Sequence, residues 1–207
     1  MFLSRVEIPW EFARNPYNMH RQLWRLFPGE EKETRRNNEE LRQGFLFRIE
    51  DNLTGRPARL LVQSRRAPAN ASGLKVIGTR EIHPKPIAGQ RLAFLLTANP
   101  VKTITDTQRD AKLGKKSEKC RVPLIKEEDQ RAWIARKLVS AGQIETANAW
   151  PHAPIYFRKS SRGGKLVTVT FDGVLRVSDP IRLAEFLENG VGPAKGFGCG
   201  LLLVRRI

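Results

Sequence analysis

From Arg91 to Val204 the apolar patterning and the turn residues come in an order that few folds accommodate. Alternating apolar residues predict a strand over Arg91–Ala98. A helix is predicted over Glu127–Val139, with acids in its first turn and Arg136-Lys137 in its last, which complements the helix dipole. Two strand-like runs follow, Ile155–Arg158 and Leu166–Val177, separated by Ser160-Ser161-Arg162-Gly163-Gly164. Asp179 suits an N-cap and Pro180 the first helical position of a helix through Leu183, Phe186 and Leu187 that ends at Asn189-Gly190. A glycine-dense loop and the apolar strand Leu201–Val204 complete the half. Strand, helix, two strands, helix, strand is the ferredoxin-like order.

The first half repeats the scheme in reduced form. A strand at Phe2–Ile8 leads to a helical stretch, Tyr17–Phe27, in which Met19, Leu23 and Leu26 recur at helical spacing. Pro28-Gly29 stops it, because proline lacks the donor for the next hydrogen bond. Strands are predicted at Gly44–Ile49 and Arg59–Gln63, joined by the turn-rich Asp51–Gly55, with a last one at Val76–Ile82. Pro68 breaks the segment where the second helix would stand. The chain therefore reads as an α+β protein of two tandem ferredoxin-like (RRM-like) domains, residues 1–86 and 87–207, linked near Pro84–Gly89. The charged stretch Glu30–Arg42 has the character of an insertion.

Charge narrows the partner. With 37 Lys and Arg against 21 Asp and Glu, the formal charge is +16 over 207 residues, so a polyanion is expected, a nucleic acid ahead of an anionic membrane. No apolar run approaches the roughly 18 residues a spanning helix needs. Met1–Trp10 has neither the apolar core nor the cleavage site of a signal peptide. Two cysteines, Cys120 and Cys199, are too few for a disulfide framework and suit a reducing cytoplasm. A DNA-binding module fits less well, since neither a helix-turn-helix nor zinc spacing is visible. Trp24 and Trp133 lie on apolar-patterned helices and are expected in the core.

Between Gly192 and Gly200, four of nine residues are glycine, with Lys195 among them. Glycine permits positive φ and lets backbone N–H groups approach an anion closely. On spacing alone the segment reads equally as a phosphate cradle and as a tight turn feeding a buried strand.

The histidines point to proton transfer. There are three, His20, His83 and His152, and none stands at metal-ligand spacing with another ligand type, so no metal and no cofactor is expected. RNA can be cut without one. The ribose 2′-OH attacks the adjacent phosphate if a base takes its proton, an acid protonates the 5′-oxygen and cations stabilise the phosphorane. Histidine, ordinarily titrating near 6.5, suits either proton role. His20 follows Tyr17 by three residues on the predicted helix, so both side chains share one face. Arg21 adds charge beside them. Read without further information, His20 is also an ordinary polar helix position and Tyr17 a packing residue, while His83 and His152, each near prolines, read as loop residues.

Five segments in one order carry a resemblance. They are Phe2-Leu3-Ser4-Arg5-Val6, Tyr17-x-x-His20, Ala98-Asn99-Pro100-Val101-Lys102-Thr103, Cys120-Arg121-Val122-Pro123-Leu124-Ile125-Lys126-Glu127 and the glycine loop. Together they resemble the CasE family, the CRISPR RNA-processing endoribonucleases of the type I-E Cascade complex. The resemblance implies tandem ferredoxin-like domains, binding of a CRISPR RNA repeat hairpin, metal-independent cleavage at the 3′ base of its stem, and retention of the product with the other Cascade subunits, one copy per complex. It also implies that Tyr17 and His20 are the catalytic pair. No family motif is recognised in Glu30–Arg42.

Two basic stretches are candidates to hold the RNA. Between Lys102 and Arg121 lie seven basic and three acidic residues, with Gly114-Lys115-Lys116 at a predicted hairpin tip. In the resembled family that element docks in the groove of the RNA stem, which suits A-form RNA because it offers phosphates and shape. Arg158, Lys159, Arg162 and Lys165 form the other, a run of cations without an acid. Both also read as solvated surface charge. With Arg21, Lys102, Lys115, Lys116 and Lys195 they make the expected RNA-binding set. The alternative is a non-catalytic RNA-binding scaffold subunit, and His20 discriminates between the two.

Overall fold

The computed structural model describes residues 1–29, 44–105, 119–159 and 162–207. The charged stretch Glu30–Arg42, the hairpin tip with Lys115 and Lys116, and Ser160-Ser161 lie outside them. Four strands make the first sheet: β1 (Phe2–Ile8), β2 (Phe45–Asp51), β3 (Ala58–Ser64) and β4 (Lys75–Glu81), in the spatial order β2-β3-β1-β4. All neighbours are antiparallel. Helices α1 (Trp10–Ala13) and α2 (Pro16–Leu23) stand between β1 and β2, and α2 runs on as a 3-10 turn over Trp24–Leu26. Among the described residues no helix intervenes between β3 and β4.

The start of α2 follows from its sequence. Asn15 is extended and its side chain accepts a hydrogen bond from the Tyr17 backbone N–H at 3.2 Å, while Pro16 occupies the first helical position. Met19, Leu23 and Leu26, the periodic apolar residues, are fully buried against Val6, Ile8, Phe45, Phe47 and Leu60 in the first core.

The second sheet has the same topology. Its strands are β5 (Arg91–Ala98), β8 (Gly142–Pro151), β11 (Val169–Val177) and β12 (Leu202–Arg206), ordered β12-β5-β11-β8. Helices α3 (Glu127–Leu138) and α4 (Pro180–Asn189) provide the crossovers. Asp179 caps α4 by accepting from the N–H groups of Ile181 and Arg182, and Gly190 closes it at φ +73°. Trp133 is buried and stacks on Phe171 at 6.1 Å in the second core. Two hairpins project from this half: β6 (Val101–Thr105) with β7 (Lys119–Pro123), and β9 (Ile155–Lys159) with β10 (Arg162–Leu166). The protein is thus a pair of tandem ferredoxin-like units.

Three expectations need correction. The strand partnering β11 is β8, not Ile155–Arg158. The run Leu166–Val177 is two strands, parted at Val167-Thr168. Arg162-Gly163-Gly164 lie in β10 rather than in a turn. β8 escapes pattern reading because it is an edge strand in which Gln143, Glu145, Ala147, Asn148 and Ala149 break any apolar run, mostly exposed and paired on one side only. The break at Val167-Thr168 escapes because Leu-Val-Thr-Val-Thr-Phe is β-favouring throughout and holds no turn residue.

The two halves meet through polar and apolar contacts. Gln63 Nε2 donates to the Leu187 carbonyl at 2.6 Å in a buried position, and Arg65 pairs with Glu188 at 3.1 Å. A Cβ on Gly190 would stand 2.9 Å from the Leu46 methyls, so the end of α4 rests on the edge strand β2.

Candidate nucleic-acid interface

The glycine-rich loop runs along edge strand β2 and reaches α2. Gly192, Gly198 and Gly200 have φ of +80°, +83° and +91°, and Ala194, at +63°, takes the same left-handed form. Space is short as well: a Cβ at Gly198 would lie 3.3 Å from Ile49 and Phe47, and at Gly200 3.0 Å from the Val191 carbonyl oxygen. Three of the four glycines therefore serve a tight path into β12. The fourth is different. Gly196 does not need positive φ, and a Cβ there would meet the His20 ring at 3.7 Å. The loop backbone thus passes beside that imidazole, with room at Gly196 for an ordinary van der Waals contact.

His20 and Tyr17 emerge half-buried on one face of α2. The His20 ring is held among Trp24, Phe45 and Phe47, at centroid distances of 6.0, 5.3 and 6.3 Å. Tyr17 faces Phe197 of the loop at 6.5 Å, and Phe197 packs on Phe157 of β9 at 4.4 Å. Gly164, opposite Phe157 in the β9–β10 ladder, makes this packing possible, since a Cβ there would fall 2.3 Å from the Phe157 ring. One aromatic chain, Tyr17–Phe197–Phe157, thus joins α2, the loop and the hairpin. Sequence reasoning missed Phe157, Phe197 and Gly164, although an aromatic between two loop glycines at Gly196-Phe197-Gly198 was a visible signal.

The predicted cations are spread over several elements. Lys165 is exposed on β10, its Nζ 5.9 Å from the centroid of the Tyr156 ring, and Lys102 is exposed on β6. Arg158 and Lys159 lie on β9 and Arg162 on β10, so the backbone brings all three to the hairpin that abuts α2. Arg21 is exposed on α2 itself. Lys195 donates to the Asn189 carbonyl at 2.5 Å, tying the loop to the C-terminus of α4. Lys115 and Lys116 are outside the described residues. The Cys199 thiol, buried in the loop, is pushed up to about 12 by burial and is a packing group rather than a nucleophile. Among the described residues no group of three or more His, Cys, Asp or Glu is arranged to hold a metal ion, and no helix is long and apolar enough to cross a membrane.

The fold defines the class first: a tandem ferredoxin-like protein in which α2 of the first half meets the glycine loop and the β9–β10 hairpin of the second. The particular family follows from the comparisons with known proteins. A family model described as CRISPR associated protein matches residues 1–206. The chain is 38% identical over 202 residues to the CRISPR system Cascade subunit CasE of Escherichia coli K12, covering 98% of each. It is 33% identical to the CRISPR-associated endoribonuclease Cse3 of Thermus thermophilus, covering 92% of this chain and 90% of that protein. The crystal structure of Cas6e from Escherichia coli K-12 matches at a TM-score of 0.85 and 37% identity over the whole of both chains. Thermus thermophilus Cse3 bound to an RNA representing a pre-cleavage complex matches at 0.73 and 28%, covering 99% of this chain and 98% of that one. The chain belongs to the CasE family of CRISPR-associated proteins.

Proposed function

We propose that this protein is the endoribonuclease that processes CRISPR RNA for Cascade, binding the repeat hairpin, cutting it at the 3′ base of the stem and staying with the product in the complex as a single copy. The observation that carries the reading is full-length kinship with CasE and Cse3. The junction where α2 brings His20 against Gly196 supports it further. A scaffold subunit would have no need of an imidazole held in an aromatic cage beside a bare backbone.

In this mechanism the RNA stem lies along the two hairpins, with Lys102, Lys115, Lys116, Arg158, Lys159, Arg162 and Arg21 on its phosphates. Lys195 acts from within the loop it closes. The scissile phosphate sits between His20 and the loop. The 2′-OH attacks the adjacent phosphorus as the P–O5′ bond breaks. One proton leaves the 2′-OH and one reaches the departing 5′-oxygen, His20 making one of these transfers and solvent the other, while Tyr17 orients the phosphate or the imidazole and Lys165 stabilises the crowded phosphorane. The products are a 2′,3′-cyclic phosphate and a 5′-hydroxyl, formed without a metal ion. We take residues 1–86 and 87–207 as the two domains and place the enzyme in the cytoplasm, which two free thiols suit.

The test replaces the single ribose 5′ to the scissile phosphate by 2′-deoxyribose. Binding is expected to persist and cleavage to vanish, while EDTA leaves cutting of the all-ribose hairpin unchanged. Normal cutting of the deoxy substrate, or inhibition by EDTA, would make water the nucleophile and overturn the mechanism.

A further inference from the structure

Beside Phe197 the two halves line a cleft of about 330 Å³, within the roughly 300–1,000 Å³ range of small-ligand sites. Arg48, Asn52, Thr97, His152, Thr170 and Phe197 line it. It holds an unusual cation. Arg48 lies on β2 between the apolar Phe47 and Ile49, and its Nη1 is buried with no hydrogen-bond partner among the described residues. Its near acid, Glu50, is engaged elsewhere: Arg5 grips both carboxylate oxygens, at 2.8 and 3.1 Å. A buried guanidinium nitrogen without an acceptor costs free energy, so its position calls for an anionic or strongly accepting ligand.

The opposite wall offers a polar edge. His152 Nε2 lies 2.8 Å from Thr170 Oγ1, which lies 2.8 Å from Thr97 Oγ1, a chain that presents donors and acceptors whose direction a ligand can set. Burial, then the Arg48 charge, lowers the His152 pKa from its ordinary 6.5, which favours a neutral ring at this edge. Cation, aromatic face and adjustable polar edge are the three elements by which proteins hold an unstacked nucleotide.

We propose that this cleft is a subsite for one nucleotide of the single-stranded RNA that flanks the repeat hairpin, with its phosphate on Arg48 and its base between Phe197 and the Thr97–Thr170–His152 edge. The inference rests on the RNA-binding reading above and goes beyond it by assigning a place outside the stem. Phe197 is shared with the aromatic chain that reaches Tyr17, so the subsite adjoins the proposed cleavage centre.

The experiment measures affinity for three non-cleavable 2′-deoxy hairpins over a range of salt: bare, with a 5′ flank, and with a 3′ flank. Wild-type protein should bind one flanked RNA about 5–10-fold tighter than the bare hairpin. Arg48→Gln should lose that gain, and the salt slope on the flanked RNA should fall by about 0.7, one single-strand phosphate contact. Arg48→Lys, which keeps the charge, should retain most of the slope, and this separates loss of the contact from loss of folding. The proposal is overturned if neither flank adds affinity, or if Arg48→Gln keeps the full gain. Failure of the wild type to bind even the bare hairpin would overturn the RNA-binding reading, and the subsite with it.

Discussion

Replacing Gly198 by valine should damage the protein through the backbone, and the size of the effect can be worked out. Gly198 has φ +83°, and its Cβ would stand 3.3 Å from Ile49 and Phe47. A left-handed conformation costs an L-residue about 1–2 kcal/mol, and more for a β-branched one. Forcing added methyls against packed neighbours costs about 1–3 kcal/mol in addition. At about 2–4 °C per kcal/mol for a chain of this size, the melting temperature should drop by roughly 4–20 °C. Gly196→Ala is the control, because that position needs no positive φ and the new methyl meets the His20 ring only at 3.7 Å. It should hold the melting temperature within about 2 °C yet slow hairpin cleavage, since the methyl enters the space beside the imidazole. Differential scanning calorimetry with single-turnover cleavage on both variants decides it. Wild-type stability in Gly198→Val, or wild-type cleavage in Gly196→Ala, would refute the division of labour among the glycines.

Tyr17→Phe keeps the ring that packs on Phe197 and removes only the hydroxyl, so the cleavage rate should fall about tenfold, less than the 10²–10⁴ of a placed proton-transfer group. An unchanged rate would reduce Tyr17 to packing. His152 gives a pH signature. Its folded pKa is held below the ordinary 6.5 by burial and Arg48, so below that value the unfolded chain binds more protons than the native one. The stability contribution is complete above about 6.5 and is lost as pH falls through the lower folded value. Melting temperatures from pH 7.5 down to 5 should decline less in His152→Gln than in wild type, and parallel curves would contradict this.

Much of the fold was legible because its signals are local. The cap at Asp179-Pro180, the stop at Asn189-Gly190 and the periodicity of Met19, Leu23 and Leu26 each act within one or two turns of helix, and the structure follows them. β8 was not legible, because an exposed strand takes its place from β11 and not from its own pattern. The site divides in the same way. Tyr17 and His20 share a face through spacing alone, but the approach of Gly196 and Phe157 depends on how the two halves dock. Arg48 shows the limit most clearly: a single cation in Phe-Leu-Phe-Arg-Ile-Glu reads as a surface residue until Arg5 is seen to occupy Glu50.

Single-turnover cleavage of a labelled repeat hairpin by His20→Ala, with affinity measured on the same preparation, bears most directly on the central claim. The expected result is a rate lower by about 10²–10⁴ with affinity within about twofold of wild type, because His20 transfers a proton and is one contact among many cations. Cleavage at the wild-type rate would contradict it and leave the junction of α2 with the glycine loop as a binding surface only.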